Sequence, residues 1–215
     1  WDSTFTGIVV DPDLGDANDD YIGCDTTLNL GYCYNADNDD GTGAPPTYGA
    51  SPPAFGIDYI RSTINKVTGD TLGMTSFVTT QKNSSPSPPC ETEANGEPVG
   101  AYHFLQGLKK DRTSFMDITK VPPKRTKYIF YGDPETGTGW TEYNGYMQNC
   151  NGDTTGNIIT VSYPGDKRFI MNSGAYDFKV MPGDTQKIVL AQLMQRGSDN
   201  KNSVTLLKRL SGTVQ

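Results

Sequence analysis

The chain has 215 residues, 34% of them hydrophobic, and its twelve Tyr and eight Phe are too many aromatic rings for a disordered chain; the length suffices to bury a sizeable core. No apolar run approaches the ~18–20 residues of a membrane-spanning helix. The net charge of −7 is uneven, with eleven Asp and no Lys, Arg or His in residues 1–60 (−11) against 14 acidic and 18 basic residues in 61–215 (+4), and neither part has the basic stripe that nucleic-acid binding needs.

In chain order, residues 4–10 (TFTGIVV) are β-branched and aromatic, a strand pattern that Asp11-Pro12-Asp13 ends. Nine Asp then fall between positions 11 and 40. Short carboxylates at this density repel one another unless a hard divalent cation joins them, and calcium with oxygen ligands is the expected ion. Between the two groups, residues 26–34 (TTLNLGYCY) alternate and predict one half-buried strand. A straight strand would hold the groups ~20–25 Å apart, which predicts two separate sites. One would use Asp11, Asp13, Asp16, Asp19 and Asp20, the other Asp37, Asp39 and Asp40. Neither is an EF-hand: counted from Asp11 or Asn35, the position reserved for Gly holds Asp16 or Asp40, and that for the bidentate Glu holds Ile22 or Pro46. The competing reading is that these Asp only cap turns and face water.

Residues 41–53 read as a Gly- and Pro-rich loop, 55–60 and 72–80 as strands, and 81–89 as a Pro-rich loop unfit for a sheet centre. Residues 98–110 predict the one internal helix, with Pro98 in its first turn and Val99, Tyr102, Leu105 and Leu108 as its apolar stripe. Residues 127–131, 157–163, 177–180 and 186–195 follow as strands, and Ser203 is expected to cap a terminal helix. The expected fold is mainly β, a β-sandwich-like domain over residues 1–215 with one internal helix and a C-terminal helix, and a sub-boundary near 81–97. A start at Trp1 and an end within a helical run lead to the expectation of a piece of a longer polypeptide.

Four Cys without a CxxC pair allow three pairings. Cys90 and Cys150, both in loop contexts, are the favoured disulfide, against the alternative of four reduced thiols. Cys24 and Cys33 flank eight residues, too far to bridge if that segment runs straight. The single His103 lies in the predicted helix with no nucleophile motif beside it. Glu91, Glu93, Glu97, Asp133, Glu135 and Glu142 could supply a glycosidase pair, but nothing singles out two of them. Trp140, Tyr143 and Tyr146 could stack on a sugar, or fill a core. Asn83-Ser84-Ser85 fits the N-glycan acceptor pattern.

The strings DPDLGDANDDYIGCDTTLNLGYCYNAD, PPAFGIDY, AYHFLQGLKKD, GDPETGTGW, GDKRFIMNSG and MPGDTQKIVLAQLMQRGSDNKNSVTLLK, in this order over nearly the whole chain, resemble large secreted or cell-surface proteins of Bacteroidetes-type bacteria exported by the type IX secretion system. The resemblance implies an extracellular location, removal of a signal peptide and a chain continuing past Gln215. It implies no activity and transfers no catalytic residue. It also suggests O-glycan attachment at Asp-Ser/Thr sites, for which Asp70-Thr71-Leu72 is the best match and Asp153-Thr154-Thr155 a looser one. The expected role is a non-enzymatic structural or adhesive module, stabilised by calcium and partnered by other domains of its parent chain or by copies of itself. The alternative is a carbohydrate-binding module or polysaccharide hydrolase.

Overall fold

The computed structural model describes residues 1–41, 46–82, 87–148, 150 and 158–215. Two antiparallel sheets form the centre. The first orders its strands β1 (Phe5–Val10), β10 (Arg168–Gly174) and β5 (Ser76–Thr80). The second orders β11 (Val189–Gln195), β4 (Ala54–Arg61), β3 (Leu30–Asn35) and β2 (Asp20–Asp25). Two ribbons pair β6 (Phe115–Asp117) with β7 (Lys124–Thr126) and β8 (Tyr146–Gln148) with β9 (Ile158–Val161). Helix α1 (Pro98–Leu105) lies on the outer face of the first sheet and α2 (Asn200–Val214) on the outer face of the second. The expected β-sandwich with an internal and a C-terminal helix is thus the observed architecture.

Strand periodicity explains the layers. Along β3, Gly31 and Cys33 face the first sheet, while Leu30, Tyr32 and Tyr34 face α2. Every residue of β3 is buried because both faces are covered. Between the sheets, Ile22, Cys33, Phe77, Phe169 and Met171 share one core. Gly31 permits the close approach there, since a Cβ would stand 2.8 Å from both Met171 and Phe77. On the other face, Val204 and Leu207 of α2 pack on Leu30, Tyr32, Ala54 and Leu193. The Ser211 hydroxyl donates 2.6 Å to the buried Asp58. Beneath α1, the Asn172 amide donates to the Phe104 carbonyl (3.1 Å) and the Ser76 hydroxyl (2.6 Å), tying helix to sheet.

Several sequence expectations are corrected. Residues 26–34 are not one strand. Asp25 accepts from the Thr27 N–H (3.1 Å) and hydroxyl (2.7 Å) and from the Leu28 N–H, and Asn29 takes a left-handed φ of 51°. The chain therefore turns back and makes a β2–β3 hairpin. The internal helix ends at Leu105, where Gly107 (φ 76°) reverses the chain. Its buried residues are Gly100 and Phe104, while Val99 and Tyr102 are exposed. Within 72–80 only Ser76–Thr80 is a strand. Residues 127–131 break at Phe130 (φ 51°) and bridge only through Tyr128 to Phe77. Residues 177–180 form no strand. Asp199, not Ser203, caps α2 by accepting from Asn202 N–H, and Ser203 donates to the Pro52 carbonyl at 2.8 Å.

Candidate metal centre

The hairpin changes the relation of the two aspartate groups. Asp20 opens β2 and pairs in register with Asn35, the last residue of β3. The loop before β2 and the loop after β3 therefore emerge side by side. A short 3-10 helix, Ala17–Asp19, capped by Asp16, fills the first loop. Asp40 staples the two: it accepts from Asp16 N–H at 2.8 Å, from the Asn35 amide at 3.4 Å and from Tyr48 N–H. The expectation of two groups ~20–25 Å apart is corrected, because it rested on a straight strand that is a hairpin.

Within this junction the carboxylates differ in kind. Asp16, Asp37 and Asp39 each accept from the N–H two residues on, as turn-forming side chains do. Asp40 is buried with both oxygens engaged. Asp20 is 1% exposed; Leu14 N–H donates to one oxygen at 3.0 Å, and the other is buried without an N–H or O–H donor. Asp19 likewise keeps one buried oxygen without a donor. Burial pushes the Asp20 carboxyl up to about 8, against hydrogen bonds from the Leu14 N–H and the Cys33 thiol and with smaller repulsion from Asp19 and Asp40. Burial first, then repulsion from Asp40, Asp16 and Asp37, pushes Asp19 up to about 6, against a hydrogen bond from Asn35. Among the described residues, no Lys or Arg forms a salt bridge with Asp16, Asp19, Asp20, Asp37, Asp39 or Asp40.

Asp11 and Asp13 belong elsewhere. They gather with Asp166 closely enough to hold an ion, but two of the three, Asp11 and Asp166, already pair with cations, while Asp13 forms no salt bridge among the described residues. Arg168 pairs with Asp11 (2.9 Å), Glu93 (3.0 Å) and Asp166 (3.2 Å), and Lys82 also pairs with Asp166. Asp19 and Asp20 each keep one buried oxygen unpartnered on the β2 side of the junction, although among the described residues the carboxylates that gather three together are Asp11, Asp13 and Asp166. Asn35, which orients Asp40 and accepts from Asp37 N–H at 2.9 Å, is a member of the junction that sequence reading misses. Its one signal is its place, directly between a strand pattern and an Asp run.

The other candidate residues are distributed as follows. Cys90 and Cys150 form the expected disulfide, with Cα atoms 5.6 Å apart. Cys24 and Cys33 are buried free thiols on neighbouring strands, and the register offsets them diagonally, with Cys24 opposite Gly31 and Cys33 opposite Ile22. Trp140 is 1% exposed and packs edge-on against Phe130 and Tyr131, so its ring offers no face to a sugar. Tyr143 packs on Tyr21 and Tyr34 under Lys201, and its hydroxyl donates to the Ala36 carbonyl at 2.6 Å. Tyr146, half-buried, opens β8. Trp140 and Tyr143 are therefore core residues. His103 holds the Lys110 carbonyl through Nδ1 at 2.8 Å. Thr71 is exposed beside Asp70 in a loop, whereas Asn83 and Asp153-Thr154-Thr155 lie outside the described residues.

Glu142 and Lys167 form a pair that sequence reading does not find. They lie 2.9 Å apart at 1% and 2% side-chain exposure. Glu142 also accepts from Ile22 N–H (2.7 Å) and the Ser162 hydroxyl (2.6 Å). The pair thereby occupies the hydrogen-bonding edge of β2, which has no strand beyond it among the described residues.

Among the described residues, no helix is long and apolar enough to cross a membrane. Comparison with protein-family models, with curated proteins and with solved structures finds no match for this chain.

Proposed function

We propose that the chain is a structural or adhesive module of a secreted or cell-surface bacterial protein, of the type IX-exported kind that its sequence resembles, with its two aspartate loops locked together by calcium. One observation carries this reading. Asp20 is buried with an oxygen open, Asp19 beside it has another, and no basic side chain among the described residues balances them. A buried carboxylate without a cationic partner is disfavoured in its charged form and either takes a proton or takes a cation. Calcium fits an all-oxygen set that backbone carbonyls and water complete. The disulfide supports an oxidising compartment.

The non-catalytic reading is supported by the state of five of the six carboxylates considered for sugar hydrolysis. Glu93, Glu97 and Glu142 pair with Arg168, Lys110 and Lys167. Glu135 accepts from Asn202 and Thr205 on α2, and Asp133 caps a turn. A calcium titration followed by thermal melting tests the proposal. Binding to the native state alone raises stability by ~2.7 kcal/mol at a hundred times the dissociation constant. A melting temperature that neither calcium nor chelator moves would refute it.

A further inference from the structure

The segment joining β6 to β7 is a knob of unusual composition. With the first two residues of β7 it runs Lys120-Val121-Pro122-Pro123-Lys124-Arg125, and Val121 is 97% exposed, the most exposed of the large hydrophobic side chains among the described residues. Its base is fixed: Asp117 accepts from the Thr119 N–H (2.9 Å) and hydroxyl (2.6 Å) and from the Tyr131 hydroxyl, and Lys120 stands over the Tyr131 ring. Lys120, Lys124 and Arg125 are exposed and form no salt bridge among the described residues. The knob is held in shape and has its charge and its apolar tip unspent.

The opposite feature lies at the far end of β2. The surface beside the knob reaches Thr26, just past the end of β2. The loop before the start of β2 lines a depression of about 580 Å³, bounded by Asp13, Asp16 and Asn18 and by the apolar Ala17, Pro46 and Tyr48. The ends of β2 are separated by five steps of roughly 3.3 Å. A cationic knob with an apolar tip and an anionic hollow with apolar walls thus lie beyond opposite ends of β2.

Resting on the module reading above, we propose that copies of this chain associate head to tail, the Lys120–Arg125 knob of one seating in the Asp13–Asp16 hollow of the next. The two surfaces differ and lie beyond opposite ends of β2, so the contact does not close on itself, and it builds a linear array rather than a dimer. The cations meet Asp13 and Asp16, and Val121 and Pro122 meet Pro46 and Tyr48. The inner carboxylates, Asp19 and Asp20, remain for calcium.

Sedimentation or light scattering over a concentration series tests this, using the whole chain with calcium at low and high salt. The average mass should rise with concentration at about 20 mM salt and fall to that of one chain at about 500 mM, where the Debye length drops below a contact's reach. K124E/R125E and D13K/N18K, each with a wild-type melting temperature, should both stay monomeric. Mixed together they should form only one-to-one pairs, because each supplies a single working end. Association that survives both charge reversals overturns the proposal, as does a knob that captures an acidic polysaccharide without self-association. A calcium-dependent melting temperature with a monomer at every salt concentration overturns the docking and leaves the calcium lock standing.

Discussion

Asp20 stands opposite Asn35 in the β2–β3 ladder, and this one register pair carries both aspartate groups to the same end of a sheet. The junction buries carboxylate where no basic residue forms a salt bridge among the described residues. Asp20→Asn is therefore expected to act in opposite directions with and without calcium. In chelator it removes a carboxyl that must take up a proton or stay charged in the interior on folding, and should leave stability unchanged or raised. In saturating calcium it should lose most of the ~2.7 kcal/mol or more that the ion adds. Parallel melts of both proteins in both conditions decide it, and an equal loss in chelator and calcium would count against the ligand role.

The same two residues set a pH dependence. Asp20 and Asp19 titrate near 8 and 6 in the native state, raised from an ordinary 3.8 by burial. The native state thus holds their protons more tightly than the unfolded chain. The stability they contribute is fully present below about pH 4 and is lost as pH rises through 6 and 8. For Asp20 this amounts to several kcal/mol, since each tenfold change in proton affinity is worth about 1.4 kcal/mol. In chelator, melting temperature should therefore fall from pH 5 to pH 8.5. Calcium, which binds the ionised form, should flatten the fall, and D20N should remove most of it. A D20N slope equal to wild type would show that other groups set the profile.

The disulfide and the free thiols make separate predictions. Cys90 and Cys150 close a loop with a sequence separation of 60, for which chain entropy gives about 4 kcal/mol. C90S/C150S should lose roughly that amount in denaturant unfolding. Cys24 and Cys33 are fully buried, and burial raises both thiols well above their ordinary value. A thiol reagent should label neither in the native protein and both after unfolding. Fast native labelling would mean that the two sheets separate more easily than their shared core suggests.

How far the sequence can be read follows from where the information lies. β1, β4 and β11 are legible because β-branched and aromatic residues mark them locally. The β2–β3 hairpin is not: Thr26, Thr27 and Leu28 look like strand, and only the Asp25 carboxylate and the left-handed Asn29 make them a turn. β10, the middle strand of the first sheet, escapes sequence reading altogether. Its buried residues include Asn172 and Ser173, one on each face, which are buried only because Ser76, Phe104 and Thr63 supply partners from distant sequence. The aspartates are visible as a group, but their division into turn-formers, a staple and two open carboxylates depends on register. Trp140 misleads because aromatic residues near Gly look alike in sequence whether they stack on a ligand or on Phe130.

The Glu142–Lys167 pair gives the sharpest test of the packing. Both charges are buried, 2.9 Å apart, and Glu142 also takes the Ile22 N–H at the open edge of β2. Removing one partner strands the other charge in the interior, so K167M and E142Q should each cost about 3–5 kcal/mol. The double variant strands neither charge, and the amide carbonyl that E142Q introduces can still accept from Ile22. It should therefore be less destabilised than the sum of the single variants by about 2 kcal/mol or more, within the range of measured couplings. Denaturant unfolding of the four proteins gives the coupling directly. Strict additivity would mean that Glu142 serves β2 alone, with Lys167 held by the Tyr163 ring 5.0 Å away.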